Sequence, residues 1–321
     1  MTLVGHDQAR AAWRDALEGE RMHHAWLLAG KAGLGKMQFA LAAARELVAA
    51  APGLEQHPDI HVLTNLPKDD KEEKKREEGK PYETKRNIAI AQIRAMQQRL
   101  TTRPTLGERR AIIIDPADDM ERNASNALLK SLEEPPRGTY FLLVSHRPSR
   151  LLPTIRSRCR TLRFAALPDD AMEAILVEQA SDCDAATRSA AIAAAAGSPG
   201  RALGFIASGL GPVAELMRRI LGEGDAGFVL RGELAASLGA RPDRAKLEAA
   251  LDLARSILDE DLDTLPADIL TPRVEAHAEL VRLTGELATY NYDPGLLAME
   301  IGILLAGAAP CLLYTSPSPR D

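Results

Sequence analysis

At 321 residues, 45% of them hydrophobic and 26% charged, the chain is long enough for two or three globular domains with separate cores. A formal net charge of −5 and only 4% aromatic residues exclude a whole-protein field that attracts DNA and a surface built to stack bases. Three scattered cysteines, Cys159, Cys183 and Cys311, form no CxxC pair, so neither a disulfide framework nor a zinc ribbon is supported. Met1–Arg10 lacks a signal pattern and no apolar run reaches spanning length, so a reducing cytoplasm is expected.

The first half alternates helical and strand-like segments. Ala9–Leu17 predicts a helix, and Ala25–Ala29 a short buried strand running into the glycine loop Gly30–Gly35. Met37–Ala50 follows as an alanine-rich helix, and Ile60–Leu63 as a second strand. Lys68–Arg86 mixes both charge signs with almost no apolar residues, which predicts a solvated loop. Ile88–Leu100 is helical, with Ile90, Ile93 and Met96 on one face. Ala111–Ile114 is an unbroken apolar strand ending at Asp115. Ser125–Leu132 is a helix halted before Pro135-Pro136, and Tyr140–Ser145 and Thr161–Phe164 are two further strands. Such alternation predicts an α/β domain with a parallel sheet covered on both faces.

After Leu167-Pro168 the pattern turns helical to Pro310. Leu247, Leu251, Ala254 and Leu258 stack on one helix side, and Asp293-Pro294 is a start signal for the final helix. Lengths suit a small helical lid at 168–208 and a helical domain at 209–310, with joints at Gly209–Gly211 and Gly222–Gly227. Residues 311–321 break the helical period and look like the translation of a sequencing-library adapter, so they are expected to be a non-native tail.

Gly30-Lys-Ala-Gly-Leu-Gly-Lys36, between a buried strand and a helix, has the spacing and context of a phosphate-binding P-loop. Gly30, Gly33 and Gly35 would let backbone N–H groups turn toward phosphate oxygens, the helix N-terminus would add its dipole, and Lys36 would reach the phosphates. The next residue should carry a hydroxyl for Mg²⁺, yet it is Met37, whose thioether is a poor ligand for a hard cation. Asp118 and Asp119 follow Asp115 by three and four residues. They are expected in a turn, facing solvent or capping a helix rather than acting as bases.

The run Asn126-Ala-Leu-Leu-Lys-Ser-Leu-Glu-Glu-Pro-Pro136 and Ser157-Arg158-Cys159 resemble the clamp-loader branch of the AAA+ ATPases. Val4-Gly5-His6, His23-His24-Ala25-Trp26, His57-Pro58-Asp59, Ile112-Ile-Ile-Asp-Pro-Ala-Asp118 and Gly197-Ser-Pro-Gly-Arg-Ala202 narrow the resemblance to the bacterial delta-prime family, over nearly the whole chain. It implies an AAA+ P-loop domain at 1–167, a lid, and a collar that closes a hetero-pentamer with gamma/tau motor and delta subunits. Through that complex the sliding clamp and primed DNA would be partners.

The resemblance also implies roles for particular residues. Ala111-Ile-Ile-Ile-Asp115 matches the strand whose aspartate orients Mg²⁺, but Pro116 stands where active members carry a water-positioning glutamate. Arg158 corresponds to an arginine finger that stabilises charge on a neighbour's γ-phosphate, while Arg156 and Arg160 are expected to be ordinary surface charges. Arg201 matches a lid sensor arginine; sensing and packing both remain open for it. His146 stands where motors carry a small polar sensor. Without cysteines before Cys159 the zinc module of many relatives is not expected. No cofactor is required on this reading, beyond ATP or ADP held weakly without turnover. The implied function is a stator subunit with a degenerate site. A gamma/tau-like ATPase motor and a non-replicative AAA+ adaptor are the alternatives.

Overall fold

A computed structural model describes residues 4–19, 21–51, 56–240, 242, 244–260, 262, 265–287 and 292–310. The chain divides between Leu167 and Pro168 into two compact units.

The first unit is built on five parallel strands: β1 (Ala25–Ala29), β2 (Ile60–Leu63), β3 (Arg110–Ile114), β4 (Thr139–Ser145) and β5 (Arg160–Arg163), in the order β2-β3-β4-β1-β5. β1 and β3 read as continuous apolar runs because both of their faces are covered. One face carries Trp26, Leu28, Ile113, Leu142 and Val144 against α1 (Asp7–Glu18) and α2 (Lys36–Leu47). There Trp13 meets Trp26 edge to face, with ring centroids 5.3 Å apart. The opposite face carries Leu27, Ile112, Ile114, Phe141 and Leu143. These pack on Ile93 and Met96 of α4 (Ile90–Arg99) and on Leu128 and Leu132 of α5 (Arg122–Glu133). Alternation along β1, β3 and β4 thus feeds two cores.

The histidine motifs are structural in this unit. His24 Nε2 donates to the carbonyl of Leu132 at 2.9 Å, tying the start of β1 to α5. Asp59 is fully buried and accepts from the amides of Thr105 and Leu106 at 2.6 and 2.8 Å, beside the buried guanidinium of Arg110.

The charged segment 68–86 differs from the expected loop, for it contains α3 (Asp70–Glu77). Asp69 caps this helix by accepting from the amides of Lys71 and Glu72, and the first turn is acidic and the last basic, complementing the helix dipole. Glu72 turns inward and accepts from Lys75 Nζ and the Glu83 amide, both at 2.7 Å. A helix with no apolar stripe is therefore held by its cap and by polar pairs, which hydrophobic periodicity does not register.

A four-residue helix, α6 (Pro153–Arg156), precedes β5. The second unit is wholly helical among the described residues: α7 (Asp169–Gln179), α8 (Ala185–Ala195), α9 (Pro199–Ala207), α10 (Gly211–Glu223), α11 (Val229–Leu238), α12 (Arg244–Asp259), α13 (Ala267–Glu286) and α14 (Pro294–Gly307). Leu247, Leu251, Ala254 and Leu258 are buried along α12, as their spacing predicts. Asp293 caps α14 by accepting from the Leu296 amide at 2.9 Å. Residues of 168–208 and 209–310 share this unit, with α12 packed on α8 and α9. Residues 311–321, read as a non-native tail, and with them Cys311, lie outside the described residues. Cys159 and Cys183 are free thiols, and burial pushes that of Cys159 up to about 12.

Candidate nucleotide site

The site forms where β1, β3 and β4 end on one side of the sheet, the edge at which open α/β sheets bind ligands. Gly30 follows β1 so closely on β5 that a Cβ there would lie 2.4 Å from the carbonyl oxygen of Phe164. Gly33 and Gly35 sit at φ +78° and +76°, the left-handed conformation that turns successive amides inward, and Gly35 begins α2. His6 braces the loop from outside, donating from Nε2 to the Leu34 carbonyl at 3.0 Å.

Lys36 is almost completely buried. Its ammonium donates to the carbonyl of Gly30 at 2.7 Å and to that of Lys31, so it lies folded across its own loop. Burial pulls its pKa down to about 8, against the opposing fields of Asp115 and Asp118. Asp115 shifts the other way: burial holds its carboxyl above the ordinary range, although Lys36 counters part of that. Burial likewise lowers His146, with the Lys36 charge acting in the same sense.

Gly30, Gly33, Gly35, Lys36 and Asp115 are thus brought together. Arg158 and Arg201 each have other partners. Arg158 lies in the first unit between α6 and β5, donating from Nη2 to Glu133 Oε1 at 2.7 Å and from Nη1 to the Thr154 carbonyl at 3.0 Å. Arg201 belongs to α9 in the second unit, ion-paired with Asp252 of α12, which also pairs with Arg255.

Met37 packs against the core that covers α2. Pro116 follows Asp115 through a cis peptide and opens a single 3₁₀ turn, Ala117–Asp119. Asp118, expected to face solvent or to cap a helix, is engaged with the end of β4. Its carboxylate accepts from Ser145 Oγ and the His146 amide at 2.5 Å each, and from the Arg147 amide at 2.8 Å. Asp119 accepts from Asn65 Nδ2 at 2.9 Å. Asp115 Oδ1, His146 Nδ1 and Asn65 Oδ1 are buried polar atoms with no hydrogen-bond partner. The pocket therefore offers a phosphate cradle, one buried cation and one aspartate with an unpaired oxygen. Its other nearby carboxylates are spent on holding loops.

Sequence reasoning missed Asn65, Glu133 and Asp252, and named Asp118 without its partners, since each acts through a contact distant along the chain. Only the position of Asp118 near the end of an apolar strand offered a signal.

The family described as DNA polymerase III, delta subunit, matches residues 5–168. Curated relatives include a DNA polymerase III subunit delta' of Pseudomonas aeruginosa, 37% identical over 166 residues, covering 47% of this chain and 45% of the relative. The corresponding Bacillus subtilis subunit is 35% identical over 179 residues, covering 51% and 49%. The chain spans about half the length of the curated relatives it matches. Among solved structures, a DNA polymerase III gamma subunit-related protein of Thermotoga maritima has a similar fold, with TM-score 0.57, 20% identity, and coverage of 94% of this chain and 99% of that one. Because the family match extends over half of its residues, the chain belongs to the DNA polymerase III delta-subunit family, with the AAA+ fold and beside the delta-prime subunits it resembles.

Proposed function

We propose that this chain is the stator subunit of a replicative clamp loader. It donates Arg158 to a neighbouring ATP site and does not turn over nucleotide in its own. The observation that carries this reading is the engagement of Asp118. With Met37 in the Mg²⁺-ligating position and Pro116 in the water-positioning one, Asp118 is the nearest carboxylate that could substitute, and its oxygens already hold Ser145, His146 and Arg147. A hydrolase needs an oxygen shell around Mg²⁺ and an oriented water, and this pocket supplies neither in full.

Arg158 supports the other half of the reading. Its planar multi-donor cation sits just before β5, partly exposed and held at two points, as an arginine acting on another subunit's phosphate requires. Lys36 and the glycine cradle can still hold phosphate, so ATP or ADP would bind weakly without turnover. Arg201, bound to Asp252, serves packing within the helical unit on this reading. The partners are gamma/tau motor and delta subunits, with the sliding clamp and primed DNA reached through the complex. The protein would work at the replisome in the cytoplasm. Residues 168–208 would be the lid and 209–310 the collar.

The test is reconstitution. The chain, a gamma/tau motor and delta should form one complex that loads clamps onto primed DNA, with loading lost when the chain is left out. Alone, the chain should release no phosphate from ATP. Turnover by the isolated chain at a motor's rate, abolished by Lys36→Ala, would identify a motor and overturn the proposal.

A further inference from the structure

We infer that Glu133 is the positioning residue for Arg158, an inference that rests on reading Arg158 as the donated finger. Glu133 is the last residue of α5, immediately before Glu134 and the Pro135-Pro136 pair that stops the helix. Its Oε1 accepts from Arg158 Nη2 at 2.7 Å, while Arg158 Nη1 donates to the carbonyl of Thr154, one turn earlier, at 3.0 Å. Both terminal nitrogens are thereby tied to different elements, α5 and α6. A long side chain with four rotatable bonds is reduced to one arrangement of its guanidinium plane.

Two observations assign this pair to orientation rather than to folding. Both side chains are substantially exposed, 35% for Arg158 and 49% for Glu133, and an ion pair so open to water adds little to stability. The arginine is also not used up by its partners. A guanidinium carries five N–H donors, and two are engaged here, leaving others for the paired contacts that planar phosphate recognition uses.

Glu133 also brings a negative charge close to the cation that must face a phosphate. Orientation and charge can be separated. Glu133→Gln keeps an oxygen acceptor and removes the charge, whereas Glu133→Ala removes both.

The experiment uses the reconstituted loader with its motor and delta subunits, measuring DNA-stimulated ATP hydrolysis with Arg158→Ala alongside. Glu133→Ala should lower kcat by about tenfold without moving KM for ATP, the signature of a contact that matters at the transition state. Glu133→Gln should restore at least about half of the wild-type kcat. Thermal midpoints of both variants should stay within about 2 °C of wild type, as an exposed pair implies. If Arg158→Ala is impaired while Glu133→Ala matches wild type, the positioning role falls and the finger stands. If both Glu133 variants raise kcat, the carboxylate restrains the arginine and the inference is wrong. Unchanged hydrolysis with Arg158→Ala removes the finger, and this inference with it.

Discussion

Asp118 accepts the backbone N–H of His146 at 2.5 Å, so a carboxylate just beyond β3 fixes the exit of β4. The same carboxylate holds Ser145 Oγ and the Arg147 amide, and no other side chain in the pocket carries three such bonds among the described residues. Asp118→Ala should therefore lower stability by about 2–3 kcal/mol, the range for losing hydrogen bonds to a charged acceptor. Asp118→Asn should fall between. Urea unfolding checks this, and an unchanged midpoint for Asp118→Ala would show the carboxylate is not a structural strut.

Lys36 predicts a pH dependence of definite sign. Its folded pKa of about 8 lies below the ordinary 10.5 because burial disfavours the ammonium. The folded state thus prefers neutral lysine. The resulting destabilisation is absent above about 10.5, grows as pH falls toward 8, and is complete below it. Lys36→Met should gain stability over wild type at pH 7, with the gain shrinking steadily up to pH 10.5. NMR of labelled lysine side chains should find one titrating near pH 8. All lysines titrating above pH 10 would contradict the burial argument.

On the proposed reading, Met37 sets the metal dependence of nucleotide binding. Adenine nucleotide should bind the chain with the same affinity in Mg²⁺ and in EDTA, within about twofold, because the hydroxyl that Mg²⁺ needs is missing. Met37→Thr should introduce an Mg²⁺ effect of about tenfold, read by calorimetry. A wild-type chain already tightened by Mg²⁺ to that degree would mean another oxygen ligand serves.

Gly138 and Gly79 share a left-handed backbone, at φ +75° and +68°, but not the same surroundings. A Cβ at Gly138 would lie 2.1 Å from the Glu108 carbonyl oxygen, whereas one at Gly79 would point into open space. Gly79→Ala should cost about 1 kcal/mol from backbone strain alone. Gly138→Ala should cost about 3 kcal/mol or more, since backbone must shift beside the Arg110–Gly138 hydrogen bond. Equal losses would rule out the steric reading.

Much of this protein was legible because its central strands are buried on both faces. Ala25–Ala29 and Ala111–Ile114 read as strands from uninterrupted apolar runs, and the glycine loop between β1 and α2 declared itself by spacing. The helical second unit was legible from residues such as Leu251 and Asp293, which obey helical burial and capping rules. Helix α3 was not, because Glu72 is buried through hydrogen bonds that a hydropathy pattern cannot carry. The particular partners of Asp118 were hidden for a related reason: they lie 27 to 29 residues away, at and just beyond the end of β4. Arg158 and Arg201 were legible as cations of interest, but their partners Glu133 and Asp252 come from tertiary packing.

The most direct measurement compares Arg158→Ala with Lys36→Ala in the reconstituted loader, side by side, for DNA-stimulated ATP hydrolysis and clamp loading. Loss of a finger can cost roughly 10³–10⁵ in rate at the site it serves. Arg158→Ala should therefore slow loading by at least about tenfold, while Lys36→Ala should leave it within about twofold of wild type. The reverse pattern, with Lys36→Ala inactive and Arg158→Ala normal, would place hydrolysis in this chain's own pocket and contradict the account.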